Sequence, residues 1–446
     1  VTTAQAIAEY HRLLETDPGA ARAQWEGLVE AFAREGITFG GQPMPALLRP
    51  QLVARADWDV LCASGRRLLD LAVRVARDAF DGDARRLCAF LGTPEGEVPW
   101  VVLDPGPPDV ALSRLDAFLT DDGPRFIEIN SDAPAGFGYS DRMARVFETL
   151  PVFRAFRERV PTSYRSSEEA LVRAVLAPWR ERGSTGTPLV AIVDWADVKT
   201  RADQEILREV ISARGSRCVL VDPRAMEVRD GRLCTPSEPV DIVYRRAVLS
   251  ELVDRADEVK AFFRAYRENL CPFVNSFRCR LSEDKAFFAL LTDEAFSSLM
   301  TAEEAQFVSR LVPWTRRVEE RKTAKDGRNV DLVPFVLKER QSLVLKPAHA
   351  YGGKSVYVGN ETPAAEWEGA VATALGKPWV VQERVTIPEE PYPVFEGGVL
   401  GFAPLKVNTN PFYVAGEDAG AVTRASRSSI INVSAGGGSV PTFIVE

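Results

Sequence analysis

Apolar residues recur three and four positions apart in AIAEYHRLL and WEGLVEAFAREG, the spacing of one buried helix face, and Gly36 offers a stop. Two further helices run through VLCASGRRLLDLAVRVARDAF. Between them ITFGGQPMPALLRP (37–50), with three Pro and two Gly, reads as a loop. Residues 1–95 are therefore expected to form a helical N-terminal region. Beyond them the period shortens. VPWVVLDP (98–105), ALSRLDAFLT (111–120) and RFIEIN (125–130) are short runs rich in β formers, and they predict strands of an antiparallel sheet.

The stretch 188–246 alternates differently. PLVAIVDW is a strand, DQEILREVISARG a helix, and CVLVDP and VDIVYRR two more strands, which together predict a small parallel α/β layer. G-x-G-x-x-G does not follow its first strand, so a dinucleotide site has little support. Residues 247–312 read mostly helical, and RRVEERKTAKDGRNV (316–330) as a solvated, mobile polar stretch. Strands return after Ser342 in SLVLKP, KSVYVG, WVVQERV and AVTRASRSSIINV.

Composition narrows the chemistry. The 446 residues hold 55 Lys+Arg and 63 Asp+Glu, a net charge of −8, and only two histidines, His11 and His349. An acidic balance disfavours nucleic-acid binding. Two histidines exclude multi-histidine metal sites, and neither lies near a nucleophile-elbow pattern. No apolar run approaches the roughly 18 residues of a membrane span, and no signal-peptide pattern opens the chain. The six cysteines form no C-x-x-C, which suits reduced thiols in a cytoplasmic protein.

Four stretches carry candidate chemistry. In RLDAFLTDDGPRFIEINSDAPAG (114–136), Glu128 and Asn130 share one face of a strand. A three-residue Asp121-Asp122-Gly123 loop, with Gly123 left-handed, sets Asp116 opposite Glu128 and Arg114 opposite Asn130. Two carboxylates and an amide on one face suit Mg²⁺, although an acidic solvent-facing hairpin would look the same. In SLVLKPAHAYGGKSVYVG (342–359), Ala348 stands where a Walker A loop needs its first Gly, and a strand rather than a helix follows. The pattern reads as a hairpin lid whose Gly352 and Gly353 N–H groups can lie on phosphates, with Lys346 ending the preceding strand; an ordinary glycine hairpin remains open. WVVQERV (379–385) offers Gln382 and Glu383 at a strand end, or simply a core strand. In AVTRASRSSIINVSAGGGSVPT (421–442), Arg424 and Asn432 on successive strands precede a Gly436–Gly438 loop, a phosphate cradle or a surface turn.

Together these motifs resemble the ATP-grasp carboxylate–amine ligases. The acidic hairpin comes first and the lysine and glycine loop last. That order is similar to the circularly permuted branch that includes eukaryotic glutathione synthetase and glutathionylspermidine synthetase-like proteins. EINSDAPAG resembles the branch's metal strand, and VNSFRCRLSEDKAFFALL (274–291) its segment with the first nucleotide lysine, here Lys285. The likeness covers roughly residues 98–446. It implies an α+β, α/β ATP-grasp fold with permuted lobe order, divided into a helical region (1–95), a metal-hairpin segment (96–165), a substrate-side α/β domain (186–275) and a nucleotide lobe with the C-terminal catalytic strands (276–446).

The resemblance also implies roles. Asp116, Glu128 and Asn130 would hold two Mg²⁺ ions. Lys285 and Lys346 would contact ATP phosphates, Gly352, Gly353 and Lys354 would cover them, and Gln382 and Glu383 would sit at the adenine hinge. Arg424 would steady the transferring phosphoryl group, with Asn432, Gly436 and Gly437 near an acyl phosphate. Glu389 or Glu390 are candidates for the ribose. Arg245 and Arg246, at a strand end of the α/β unit, would take a substrate carboxylate or be a surface pair. His349 would touch a phosphate or pack its loop. The implied reaction joins a small-molecule or peptide carboxylate to an amine at the expense of ATP. A phosphotransferase and a non-catalytic nucleotide-binding protein are the alternatives.

Overall fold

The computed structural model describes residues 1–104, 106, 109–349, 355–431 and 437–446. Three sheets organise them. The largest, with eight strands, runs Gln51–Ala54, Gly438–Val445, Glu417–Ser426, Val399–Val414, Leu112–Thr120, Gly123–Asn130, with Glu389–Glu396 and Thr162–Tyr164 on side branches. Its pairs are antiparallel except Gln51–Ala54 with Gly438–Val445. Gly438–Val445 is buried along its whole length, because the sheet is covered on both faces. The helix Arg55–Ala79 packs on one side with Leu61, Leu68 and Val75. Helices Phe137–Phe147 and Glu168–Glu181 cover the other. A Cβ on Gly65 would collide with the Tyr413 hydroxyl, so the long helix approaches the sheet there only as glycine.

The second sheet is fully parallel: Phe273–Val274, Ile242–Arg245, Leu189–Val193, Arg217–Val221. This is the expected α/β layer with one more edge strand. The third is antiparallel: Thr315–Arg317, Trp379–Glu383, Leu343–Pro347, Tyr357–Val358. Helices Leu332–Lys338 and Ala364–Ala374 cover it with Val336, Trp367 and Val371.

Several expectations change. The N-terminal region is helical but also supplies Gln51–Ala54 to the main sheet and a ribbon of Thr38–Phe39 with Gln42–Pro43. Residues 98–105 contain no strand among those described; Val98–Val101 is a helical turn with Pro at its start, where a missing N–H costs nothing. The stretch 316–330 is folded into Thr315–Arg317, Lys322–Lys325 and Arg328–Asp331. Its order comes from Arg316, which is buried and donates to Glu294 at 2.8 Å. The last motif forms a strand that ends at Ser426, Gly438 opens the next strand, and the stretch expected to place Asn432 on a strand lies outside the described residues. All six cysteines are free, and five are buried. No helix among the described residues is long and apolar enough to cross a membrane.

Candidate active site

The acidic hairpin is held at both ends before any ligand is considered. Asn275, beyond the α/β layer, accepts from Ala111 and Leu112 N–H at 2.8 and 2.9 Å and donates to Leu112 and Ser131 carbonyls at 2.6 and 2.7 Å. Arg114 pairs with Asn130 and Asp116 with Glu128, as alternation and turn chemistry predict. The route to that register differs. Thr120 pairs with Gly123, so the loop is only Asp121-Asp122, with Gly123 left-handed at φ 108°. A bulge between Asp116 and Ala117 then leaves Ile127 unopposed and shifts the register by one. The four polar side chains end up on the same face as expected.

That face lines a cavity of about 360 Å³ between the eight-stranded sheet and the antiparallel four-stranded sheet. Asp116, Glu128, Asn130, Lys285, Lys346, Gln382, Glu383 and Arg424 all reach it. Asp116 Oδ1 accepts from Arg114 Nε at 2.8 Å and from Asn130 Nδ2 at 2.9 Å, and Arg424 lies 3.5 Å from Oδ2. Burial works against the Asp116 carboxylate, but Arg114 and Arg424 outweigh it and its pKa is lowered. Lys285 pairs with Glu128 at 2.9 Å. Lys346 donates to Gln382 Oε1 at 2.9 Å, and Gln382 donates onward to Thr315 at 2.9 Å. Glu383 takes Lys325 at 3.2 Å. Burial pushes the Lys346 ammonium down to about 8 against the pull of Glu128. Burial, then the like charge of Arg114, pushes Arg424 down to about 10 despite Asp116 and Glu128. Both cations lack sufficient anionic charge around them.

Asp116, Glu128 and Asn130 form a hard-oxygen donor set. Among the described residues no three His, Cys, Asp or Glu side chains cluster as a complete protein cage. Two carboxylates and an amide leave the remaining ligands to phosphate oxygens and water, the arrangement Mg²⁺ favours. The donor set fits that ion.

Other expected residues lie elsewhere. Arg245 is buried against Asp132 at 2.5 Å and donates to the carbonyls of Ala247, Asn275 and Ser276. Arg246 donates to the Pro134 carbonyl and lies 3.8 Å from Asp203. Neither lines the cavity; they fasten the α/β layer to the loop after Asn130. His349 Nδ1 faces Asp284 at 2.6 Å and Nε2 lies 2.8 Å from the Gly92 carbonyl, so it packs its loop. Glu390 binds Arg49 and Gln51, and Glu389 is exposed; neither reaches the cavity. Gly437 is buried but is not among the lining residues. Gly352, Gly353, Lys354, Asn432 and Gly436 lie outside the described residues.

Three groups went unnoticed as site residues. Arg114 was placed in register but not in the site. Asn408 stands opposite Arg424 in the sheet, lines the cavity, and buries its Oδ1 without a hydrogen-bond partner among the described residues. Glu283 accepts from Ser131 N–H at 2.8 Å and from Asp132 N–H, joining the end of the strand Gly123–Asn130 to the segment that carries Lys285. Only the proximity of Glu283 to Lys285 in sequence hinted at this.

No family model matches the chain. It is 27% identical to an uncharacterised protein of Mycobacterium leprae over 98% of this chain and 79% of that protein. It is 27% identical to a candidate glutamate–cysteine ligase of Frankia alni over 92% of this chain and 48% of that protein. A second such protein, from Frankia casuarinae, is 26% identical over 97% of this chain and 50% of its own length. The chain thus spans about half the length of both Frankia proteins. Among solved structures, the apo form of a glutathione synthetase-like effector of Globodera pallida aligns over 96% of this chain and 98% of its own, with a TM-score of 0.56 and 12% identity. The chain therefore has a glutathione synthetase-like α+β fold.

Proposed function

We propose that the protein is an ATP-dependent ligase that activates a carboxylate as an acyl phosphate and joins it to an amine. The observation that carries this reading is one cavity lined by the carboxylates Asp116 and Glu128, the amide Asn130 and Arg424 from the eight-stranded sheet, by Lys346 from the antiparallel four-stranded sheet, and by Lys285, which pairs with Glu128. The ligase names of the two Frankia relatives support it, as does the permuted ATP-grasp resemblance of the sequence.

Mg²⁺ held by Asp116, Glu128 and Asn130 would neutralise phosphate charge. The chain's own groups do the rest. Lys285 and Lys346 bind phosphate oxygens, and Gln382 fixes the Lys346 ammonium in place. Arg424 offers its fork to the transferring phosphoryl group while Asp116 orients it. A substrate carboxylate oxygen attacks the γ-phosphorus and the bond to ADP breaks. The amine nitrogen then attacks the acyl carbon, phosphate leaves, and the amine proton passes to solvent. Asn408 Oδ1 is an acceptor beside Arg424 for an amine N–H. No histidine base is needed, which accounts for the chemistry of a chain with two.

Incubation with Mg²⁺, ATP and a panel of acids and amines tests this. Release of ADP dependent on both an acid and an amine is expected. ADP release dependent on a hydroxyl compound alone would favour a phosphotransferase, and nucleotide binding without any turnover a non-catalytic role.

A further inference from the structure

We propose that the cavity continues past Arg424 into a chamber for the apolar side group of the carboxylate substrate, an aryl or branched aliphatic acid; this rests on the ligase reading above. The cavity's two ends have different walls. One follows the strand Leu343–Pro347 and the segment after Gln382, with Val344, Val385 and Ile387. The other gathers pieces from three distant parts of the chain: Val422, Tyr139 near the start of helix Phe137–Phe147, and Phe39 and Met44 beside the N-terminal ribbon.

At this second end Tyr139 and Gly40 have polar partners within the protein, and Thr200 also lines the cavity. Tyr139 lines the cavity, and its hydroxyl is already satisfied by the Thr38 carbonyl at 2.6 Å. Gly40 N–H donates to the Lys199 carbonyl at 2.9 Å and anchors the ribbon. The buried Asp203 carboxylate accepts from Gly138 and Tyr139 N–H at 3.0 and 3.1 Å, so the helix start is already capped. A Cβ on Gly136 would lie 3.4 Å from Val422 Cγ1, which brings the start of the helix against Val422. Arg114, which also lines the cavity, is matched by Asp116 and by the Ala135 carbonyl at 3.0 Å.

A wall of Phe39, Met44, Tyr139 and Val422 favours removal of apolar surface from water and disfavours a second charged group. Position follows from the strand. Val422 precedes Arg424 by two residues on the same face, about 6–7 Å away. A carboxylate held for attack beside Arg424 therefore places its substituent against Val422 and the residues facing it.

The test uses the whole chain with Mg²⁺, ATP and hydroxylamine, whose nitrogen attacks an acyl phosphate and expels phosphate to leave a hydroxamate. Phenylacetate, isovalerate, acetate and glutamate are compared, and binding of a non-hydrolysable ATP analogue is measured in parallel. Phenylacetate and isovalerate are expected to exceed acetate and glutamate by about ten- to a hundredfold in kcat/KM. Phe39→Ala and Val422→Ala should each lower kcat/KM for phenylacetate by about tenfold without changing analogue binding. Phe39→Trp, which keeps an aromatic at the ribbon, should shift preference from phenylacetate toward isovalerate. Preference for glutamate, or indifference to all three substitutions, overturns the chamber while leaving the ligase reading intact. Failure of the unmodified chain to bind the analogue overturns both.

Discussion

Arg245 is fully buried and Arg424 half-buried, both lie near the C-terminal end of a strand, and both face an aspartate, yet their pKa values move in opposite directions. Burial alone would lower either one. At Arg245 the Asp132 carboxylate at 2.5 Å outweighs burial, further hydrogen bonds saturate the fork, and the pKa is raised. At Arg424 the aspartate stands 3.5 Å away and Arg114 adds a like charge, so the pKa falls to about 10. Lys346, down to about 8, belongs with Arg424. Arg245 is compensated by its own protein, whereas Arg424 and Lys346 are left short of negative charge, and in the proposed reading an incoming phosphate supplies the shortfall.

The largest expected effect breaks the compensated pair. Arg245→Met strands Asp132 in the core and should cost about 3–5 kcal/mol of stability, read as a lowered denaturation midpoint. Arg424→Met should leave that midpoint unchanged or raised. Equal destabilisation by both would erase the distinction. Glu128→Gln keeps volume and removes charge; turnover should fall by about 10²–10³ with the midpoint preserved. Normal turnover in that variant would remove Glu128 from the metal set. Arg424→Lys should lower kcat by roughly 10²-fold while ATP affinity changes far less, because a point charge replaces a planar fork. Parallel loss of both would make Arg424 a binding residue only.

The smallest effect is a pH dependence. Below pH about 8 the buried Lys346 is charged and meets phosphate directly. Above it, ATP binding must draw a proton onto the amine, so affinity should fall as pH rises through about 8, and Lys346→Met should flatten that slope. Stability moves the other way. The unfolded lysine titrates at its ordinary 10.5, so between about 8 and 10.5 the unfolded chain holds more protons and this group's contribution rises with pH. An ATP-binding profile flat through pH 8 would place Lys346 away from the phosphates.

The acidic hairpin was legible in the sequence because strand alternation and a glycine turn are local rules. Even there, a shorter loop and a bulge at Ile127 combined to give the expected register. The parallel layer was legible for the same reason. What escaped depends on partners remote in sequence. VPWVV reads equally as strand or helix until Pro99 is placed at a helix start. The segment 316–330 looks solvated until Arg316 is set against Glu294. Arg245 sits where ligand-binding residues sit in open α/β sheets, and only its contacts with Asp132 and Cys279 reveal its place in the core. Phe39 and Met44 carried no motif, since an apolar wall has no sequence signature.

The central claim concerns where the γ-phosphoryl group goes. A turnover reaction with an ¹⁸O-labelled carboxylate substrate, Mg²⁺, ATP and an amine, followed by mass analysis of the released phosphate, reads this directly. One ¹⁸O per phosphate is expected, carried over when the acyl phosphate is broken by the amine. Unlabelled phosphate accompanying ADP and product would contradict acyl-phosphate activation at this site.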